Sequence, residues 1–526
     1  MAAKEPAEYM STYVERVETT VSDEGKSKGL RPAKTAGSAA TRLYDEAGNL
    51  RLIPTPTTDP NDVAGSMTAC NSVGPLVPTF DMYYANVPLG EVPPSTQTVS
   101  QLATFPSLFI GVGAIISVIL CRWLGTRPVL ILSSALVVAS TTWAATSHGK
   151  GLGLYSHIAA RCFMGLGTGA VESLVPLILQ DMYYIHNRNT QIAIIWAWGG
   201  VVSGALGSAS TYIVQHIGWR WFYWILDIIS CVALAMIILV VPETTFPRTE
   251  AEYNGEAITN EDGFAEPVRS SGRERSYIYS VRVISEHTSI KQAWYALKEL
   301  VLCSGFPNVV WIVLLNAAVI GPTISSSNTI GLVLISSYHW APQNVGLLSV
   351  PLTIASFIVV PIAGVFADWF MKTLARRNNG QHTPEHQILN LAFPLVCSFL
   401  GTLLFGVFAG QPEQYHWSLP LLMTGFQFFA LLSTNVTTTT YAIECFPDLA
   451  ATMVIIVGAY RNIVGFGITY GAQAFVDRVG FQHCFGTYAA IVAFFSLFSI
   501  PVYLKGPALR QWIDTWRIRN LTGNTL

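Results

Sequence analysis

Long hydrophobic segments recur along most of this 526-residue chain. A helix needs about 20 predominantly apolar residues to cross a bilayer, and eleven segments meet that length. They lie at approximately 98–120, 128–147, 155–180, 191–214, 221–241, 308–332, 345–367, 388–409, 417–441, 450–474 and 483–504. The pattern therefore predicts an all-α protein that crosses a membrane many times.

A twelfth uncharged segment, 63–80, precedes these spans and is a weaker candidate. It lies between Asp62 and Asp81, is short and weakly apolar, and contains Pro75 and Pro78. A proline inside a helix removes one backbone hydrogen bond and disturbs the preceding turn. If this segment crosses the membrane, it does so as a short and atypical first span.

Lysine and arginine are concentrated in alternate connections between the spans. The residues that form this excess are Arg122, Arg127, Arg188, Lys372, Arg376, Arg377, Lys505 and Arg510. Positive charge in short loops favours the cytoplasmic side. Both termini and the central linker are therefore predicted to be cytoplasmic. That orientation requires an even number of crossings, so twelve spans fit and eleven do not.

Polar stretches divide the chain into two six-helix halves. The first 62 residues lack apolar periodicity and cannot bury a core, so we expect a disordered cytoplasmic tail at 1–62. An amino-terminal half at 63–241 is followed by a polar linker at 242–303. A carboxy-terminal half at 304–505 and a cytoplasmic tail at 506–526 complete the chain.

Composition excludes several other classes of protein. Hydrophobic residues make up 51% of the chain and charged residues 12%, with a net charge of -2, so nucleic acid is not an expected partner. The eight cysteines occur singly, without CxxC spacing, and we predict no metal and no cofactor. The stretch GLGTGA at 165–170 lies inside a span rather than between a strand and a helix. An enzyme is not expected.

Two charged residues interrupt the segment ARCFMGLGTGAVESLVPLILQD at 160–181. At about 100° per residue, Arg161 and Glu172 point within about 20° of each other, but they lie about 16 Å apart along the helix axis. Ionisable groups facing lipid are costly, so this face should look into the helix bundle. Glu172 is predicted to bind a cation or carry a proton. Arg161 could join it in transport, or could instead tie neighbouring helices through their backbone carbonyls.

Further polar and aromatic residues within spans are candidates for the transport path. Asp227, Arg461 and its neighbour Asn462 could take part in transport or proton coupling, or could be buried ties between helices. The substrate-cavity candidates are Trp196, Trp198, Asn316 and Asn435. The tryptophans could offer a cation-π face to an amine or could be ordinary interfacial or core residues. The asparagines could bind a solute or a neighbouring helix.

Glycine-rich motifs at fixed places in both halves resemble the major facilitator superfamily. After the eighth span, GVFADWFMKTLARR supplies Gly364, Asp368, Arg376 and Arg377. After the second, CRWLGTRPV keeps Gly125 and Arg127 but has Arg122 where the family usually has an acid. Gly165 and Gly169 follow Arg161 in the fourth span, and Gly200 and Gly204 lie in the fifth. The resemblance implies two six-helix halves that change conformation through these motifs.

Longer segments are similar to the fungal drug:proton antiporter group, and most of all to the yeast histidinol and polyamine permease type. They include WRWFYWILDI, VPETTF, TPEHQIL, YAIECFPD and GAYRNIVGFGITYG. This resemblance implies a monomeric plasma-membrane transporter that moves a small, cationic or amphipathic organic solute with proton coupling. Because the first span is short, a non-transporting sensor or receptor on the same scaffold, or an inactive truncated transporter, stays open.

Overall fold

The computed structural model describes residues 41–42, 96–147, 152–182, 188–240, 290–379, 381–446 and 449–521. The candidate first span at 63–80 lies outside the described residues. So do most of the amino-terminal tail and residues 241–289 of the linker. The predictions for those segments stay predictions.

The described residues are almost entirely helical. The amino-terminal half contains α1 Thr96–Leu124, α2 Thr126–Thr146, α3 Leu152–Met182, α4 Arg188–Ile217 and α5 Trp219–Val240. The linker ends with α6 Ile290–Cys303, and the carboxy-terminal half begins with α7 Pro307–Ser336, α8 Val350–Val359, α9 Ala367–Arg377 and α10 His386–Leu389. It continues with α11 Ala392–Gly410, α12 Ser418–Cys445, α13 Ala450–Tyr470, α14 Ala472–Leu497 and α15 Ser499–Leu521.

Eleven helical runs within the described residues are long and apolar enough to cross a membrane. They coincide with the eleven segments predicted from hydropathy, so the prediction of an all-α, multi-pass membrane protein is confirmed. The run with the most breaks, Pro342–Arg377, consists of a 3-10 helix at Pro342–Ser349, α8, a π-helix at Val360–Phe366, and α9. Pro361 has no N–H to donate to the preceding turn, which accounts for the wider turn there.

The two halves pack against each other along two helix–helix interfaces, which we call seams. In one, α1 packs against α13; in the other, α4 packs against α8 and the 3-10 and π segments that flank it. The largest buried cluster crosses both seams, with Ala114 and Ile192 from the amino-terminal half and Val359 and Ile456 from the other. The core of the described molecule therefore lies between the halves.

Small residues set the close approach of helices within the bundle. At Gly169 in α3, an added Cβ would collide with the backbone oxygen of Ile110 and lie 2.6 Å from the backbone nitrogen of Ala114. Such contact with backbone atoms of α1 leaves no room for a side chain. Gly125, with φ of 101°, occupies the break between α1 and α2, a conformation that glycine adopts without strain.

One short strand pair departs from the helical pattern. Strand β1, Thr41–Arg42, pairs antiparallel with β2, Gln381–His382. Residues 41–42 belong to the tail at 1–62 that is predicted to be disordered, and that prediction for the tail stays a prediction. The backbone groups of Thr41 and Arg42 pair with the loop between α9 and α10. The polar composition of the tail does not predict this pairing.

Candidate functional site

A charged cluster lies between the two halves near the middle of the bundle. Glu172 of α3 accepts a hydrogen bond from the guanidinium of Arg461 on α13, and the two form an ion pair. The neighbouring residue on α13, Asn462, donates from Nδ2 to the other carboxylate oxygen of Glu172 at 2.7 Å. Both oxygens of one carboxylate from the amino-terminal half are thus bound by the carboxy-terminal half.

Arg461 is further held by two other helices. Its second terminal nitrogen donates to Oδ1 of Asn435 on α12 at 2.8 Å. Its guanidinium carbon lies 5.1 Å from the centroid of the Trp196 ring on α4, a cation-π distance. Four helices, two from each half, therefore meet at one cation.

In this cluster the arginine is buried and the glutamate is partly exposed. The side chain of Arg461 is 2% exposed, whereas that of Glu172 is 20% exposed. Among the described residues, Nε of Arg461 and Nε1 of Trp196 are buried without a hydrogen-bond partner. A buried donor without a hydrogen-bond partner is energetically costly. A solute or a water molecule that accepts a hydrogen bond could therefore bind beside these two nitrogens.

Local sequence brings α13 to this position. An added Cβ at Gly111 of α1 would lie 2.6 Å from the backbone oxygen of Ala459, so the glycine allows α1 and α13 to touch. Ala459 is two residues before Arg461, and the close approach fixes the depth of the guanidinium in the seam. Asn462 also donates to the backbone oxygen of Gly458 at 2.9 Å, which restrains its side chain.

Arg161 and Asp227 lie elsewhere in the amino-terminal half. Among the described residues, the Arg161 guanidinium donates to the backbone oxygen of Leu102 at 3.2 Å and approaches the sulfur of Met164 at 3.6 Å. Asp227 on α5 accepts from Thr142 on α2 at 3.2 Å. The structure does not bring these two residues to Glu172. Their contacts match the alternative role as ties between helices.

The four residues predicted to line a substrate cavity also lie at different distances from the charged cluster. Asn435 and Trp196 contact Arg461, but the side chain of Trp198 is 56% exposed on the other face of α4. Asn316 on α7 donates to Oγ1 of Thr438 at 3.0 Å, one helical turn from Asn435 on α12. Its own Oδ1 has no partner among the described residues. Asn316 therefore lines the same side of α12 as the charged cluster.

The motif after the eighth span binds the first turn of α4. Oδ2 of Asp368 accepts from the backbone N–H of Thr190 at 3.0 Å and from its hydroxyl. A carboxylate at a helix amino terminus is favoured by the helix dipole. Gly364 lies against Thr190, where an added Cβ would be 3.1 Å from its Cα. The side chains of Arg376 and Arg377 are exposed at the end of α9.

The matching motif in the amino-terminal half makes a different contact. Arg127 is buried and donates to the backbone oxygen of Ile238 at 2.7 Å, near the last turn of α5. A cation there pairs with the negative end of the helix dipole. This contact lies within one half, whereas Asp368 joins the two halves. The two motifs are thus related in sequence but not in the bonds that they make.

A buried polar network extends the contact made by Asp368. Asn189 of α4 donates to Oε1 of Gln387 on α10 at 3.2 Å, and Gln387 donates to Oε1 of Glu444 on α12 at 3.1 Å. Beside it, Arg510 of α15 forms a bidentate pair with Glu385, at 2.9 and 2.8 Å. The linker-side end of the α4–α8 seam is therefore held by hydrogen bonds as well as packing.

The opposite end of this seam is also bonded. Thr211 of α4 donates to the backbone oxygen of Gln343 at 2.6 Å, and Tyr212 donates to Oδ1 of Asn344 at 2.9 Å. Between the two ends, Gly200 and Gly204 let α4 contact Ser356 and Thr353 of α8. The seam is closed along its length in this conformation. Opening it on either side requires one of these two sets of bonds to break.

Several residues of these networks were not among the candidates predicted from sequence. Asn462 is not one of them, because it interrupts the same span as Arg461 and was predicted to be either a transport-path residue or a buried tie between helices. Gln387, Glu385 and Arg510 lie outside the apolar segments, where polar residues are ordinary. Nothing in their spacing indicates burial.

The fold and the site together define a class: a multi-pass membrane transporter with a charged centre between two helical halves. The chain belongs to the Major Facilitator Superfamily, whose model matches residues 63–469. The family expected from the glycine-rich motifs is thereby confirmed, and its members are transporters rather than enzymes.

Similar proteins include fungal transporters and solved structures of the same fold. Protein HOL1 of Saccharomyces cerevisiae is 21% identical, covering 80% of this chain and 79% of that protein. The MFS transporter cpaT of Aspergillus oryzae is 24% identical, covering 67% and 68%. The xylose transporter XylE from E. coli, in a partially occluded inward open conformation, has a TM-score of 0.51 at 13% identity. The match covers 81% of this chain and 91% of the XylE chain, and it supports the fold alone.

Proposed function

We propose that this chain is a secondary transporter that moves a small, cationic or amphipathic organic solute by alternating access, with proton coupling at Glu172. The observation that carries the proposal is the ion pair between Glu172 and Arg461, because it joins the two halves at the bundle centre. A charge pair between moving parts can be made or broken by a single proton.

Protonation would change the cluster in a defined way. A neutral Glu172 no longer balances the charge on Arg461, and the two halves lose their ionic contact. A cationic group of a solute could likewise compete with Arg461 for the carboxylate. Either event weakens the same contact, so proton and solute can drive the same rearrangement.

Unfilled hydrogen-bonding groups support an amphipathic solute. The donors Nε of Arg461 and Nε1 of Trp196 and the acceptor Oδ1 of Asn316 are buried and have no partner among the described residues. The ring of Trp196 is already covered by Arg461 in this conformation. An amine that uses this ring must therefore displace the guanidinium, which would couple solute binding to the ion pair.

The remaining assignments follow from the loop charges and the resemblance. We propose that the linker and both termini face the cytoplasm, that the transporter resides in the plasma membrane and that it works as a monomer. The basic residues Lys372, Arg376 and Arg377 follow the eighth span, on the proposed cytoplasmic side.

Transport by purified protein in vesicles tests the proposal. Uptake of a labelled polyamine and internal pH would be followed together under an imposed proton gradient. The wild-type chain should show gradient-dependent uptake, and Glu172→Gln should lose the dependence on pH. Glu413→Gln, which changes an exposed carboxylate between α11 and α12, should behave as wild type. Unchanged pH dependence in Glu172→Gln would contradict the role of Glu172; solute binding without uptake by the wild type would favour a sensor.

A further inference from the structure

Helix α6 lies directly before a membrane span. It ends at Cys303, and α7 begins at Pro307. The three residues between them, 304–306, reach at most roughly 14 Å from the end of one helix to the start of the next. The connection is a tight turn, in which the N–H of Phe306 donates to the oxygen of Cys303 at 3.1 Å. The carboxyl end of α6 is therefore held close to the membrane surface.

The two faces of α6 have different surroundings. Ala296, Leu300 and Cys303 are buried, at 5%, 4% and 0% exposure. On the other face, Trp294 is 68% exposed and Val301 is 64% exposed. These two positions lie within about 20° of each other on a helical projection, because seven residues are nearly two turns. The exposed Lys298 lies about 40° from Trp294, on the same stripe, whereas Tyr295, 62% exposed, lies about 100° from Trp294, at the border between the exposed and the buried face.

The buried face spans the seam between the halves. Helix α6 packs against both α1 and α13, and Leu300 and Cys303 belong to the same buried cluster as Val118 and Met453. Next to α6, the hydroxyl of Ser304 donates to that of Tyr460 on α13 at 3.0 Å. The α4–α8 seam is held at this side of the membrane by Asp368. The α1–α13 seam has Arg122 in the corresponding motif and is covered by α6.

Other exposed aromatic residues place the exposed face of α6 at a lipid interface. Trp123, at the end of α1, is 43% exposed, and Trp369, at the start of α9, is 58% exposed. Consecutive spans alternate in direction, so the ends of α1 and α9 lie on the same side of the membrane as the start of α7. Tryptophan and tyrosine are enriched where the apolar and headgroup regions of a bilayer meet.

We propose that α6 is an interfacial helix that inserts Trp294, Tyr295 and Val301 into the lipid of the linker-side leaflet and thereby ties the α1–α13 seam to the membrane surface. The occupant of the exposed face is lipid because the face is aromatic and apolar, adjoins a span and shares its side of the membrane with Trp123 and Trp369. Lys298 fits the same site, since its amine can reach the headgroups from an otherwise apolar stripe. The inference does not depend on which solute is moved.

Photo-crosslinking in native membranes tests the occupant. Benzoylphenylalanine would be placed singly at positions 294, 295 and 301 of the full chain, and adducts would be identified by mass spectrometry. Phe357, 66% exposed on α8, is the control for a lipid-facing site, and Asn379, exposed after α9, is the control outside the span. Phospholipid adducts at the three α6 positions, as at 357, are the expected result. A protein adduct, or the pattern of position 379, would overturn the proposal.

Hydrogen–deuterium exchange in nanodiscs tests the tie to the seam. The double substitution Trp294→Ser and Val301→Ser removes the apolar anchors but leaves the buried face of α6 unchanged. Exchange should rise in α6 and in the segments of α1 and α13 that pack against it. The control double substitution Trp198→Ser and Phe357→Ser, at exposed positions on α4 and α8, should leave these segments unchanged. A rise confined to α6, or no rise, would show that lipid anchoring does not stabilise the seam.

Discussion

The ion pair between Glu172 and Arg461 predicts a strong energetic coupling between two residues that are distant in sequence. Replacing Glu172 with Gln leaves a guanidinium that is 2% exposed without its carboxylate. Removing one partner of a buried pair typically costs about 3–5 kcal/mol of unfolding free energy. Because the Glu172 side chain is 20% exposed and water can reach the site, we expect a loss near the lower end, about 3 kcal/mol.

The double substitution separates the pair from its surroundings. Methionine at 461 keeps much of the aliphatic stem but removes the charge, so Glu172→Gln with Arg461→Met leaves no unpaired ion. Replacement of a buried pair by apolar or neutral groups is often close to neutral. The double variant should therefore be more stable than the sum of the single losses implies, with a coupling energy of at least about 2 kcal/mol.

Unfolding by SDS in mixed micelles would measure the four free energies of this cycle. A control cycle with Glu413→Gln and Arg478→Met, both at exposed positions, should be additive. If the coupling between positions 172 and 461 fell below about 0.5 kcal/mol, within the usual error of additivity, the reasoning from the buried pair would be refuted.

Three further predictions concern packing, a second ion pair and topology. Gly169→Ala should lower the unfolding free energy by about 1–3 kcal/mol because its Cβ meets the backbone of α1, whereas Gly199→Ala, with open space around it, should not; equal stabilities would contradict the close approach. Arg510→Ala should lower the unfolding free energy by about 3–5 kcal/mol, because Glu385 stays buried without its partner. The control Arg377→Ala, at an exposed position, should change it by less than about 0.5 kcal/mol. Unfolding of the two variants at the same SDS content would argue against the pair. A protease site inserted within 250–289 should be protected outside intact cells, and cleavage there would reverse the proposed orientation.

The sequence by itself determined where the chain crosses the membrane. Each span must satisfy its own backbone hydrogen bonds and cover the apolar thickness of the bilayer, whatever its neighbours are. The signal is therefore local, and the described residues contain eleven spans where hydropathy predicted them. The glycine-rich motifs likewise pointed to the family, because their residue types are required at fixed places in each half.

Only the tertiary structure decided which polar residues meet. Arg161 and Glu172 share one helix and one face, yet Glu172 pairs with Arg461, 289 positions away, while Arg161 bonds the backbone of α1. Trp196 and Trp198 are two residues apart, but one contacts Arg461 and the other is 56% exposed. Lipid is as apolar as a protein interior, so the hydrophobic pattern of a span does not distinguish its inner face from its outer face. The pairing of helices across the two seams makes that distinction.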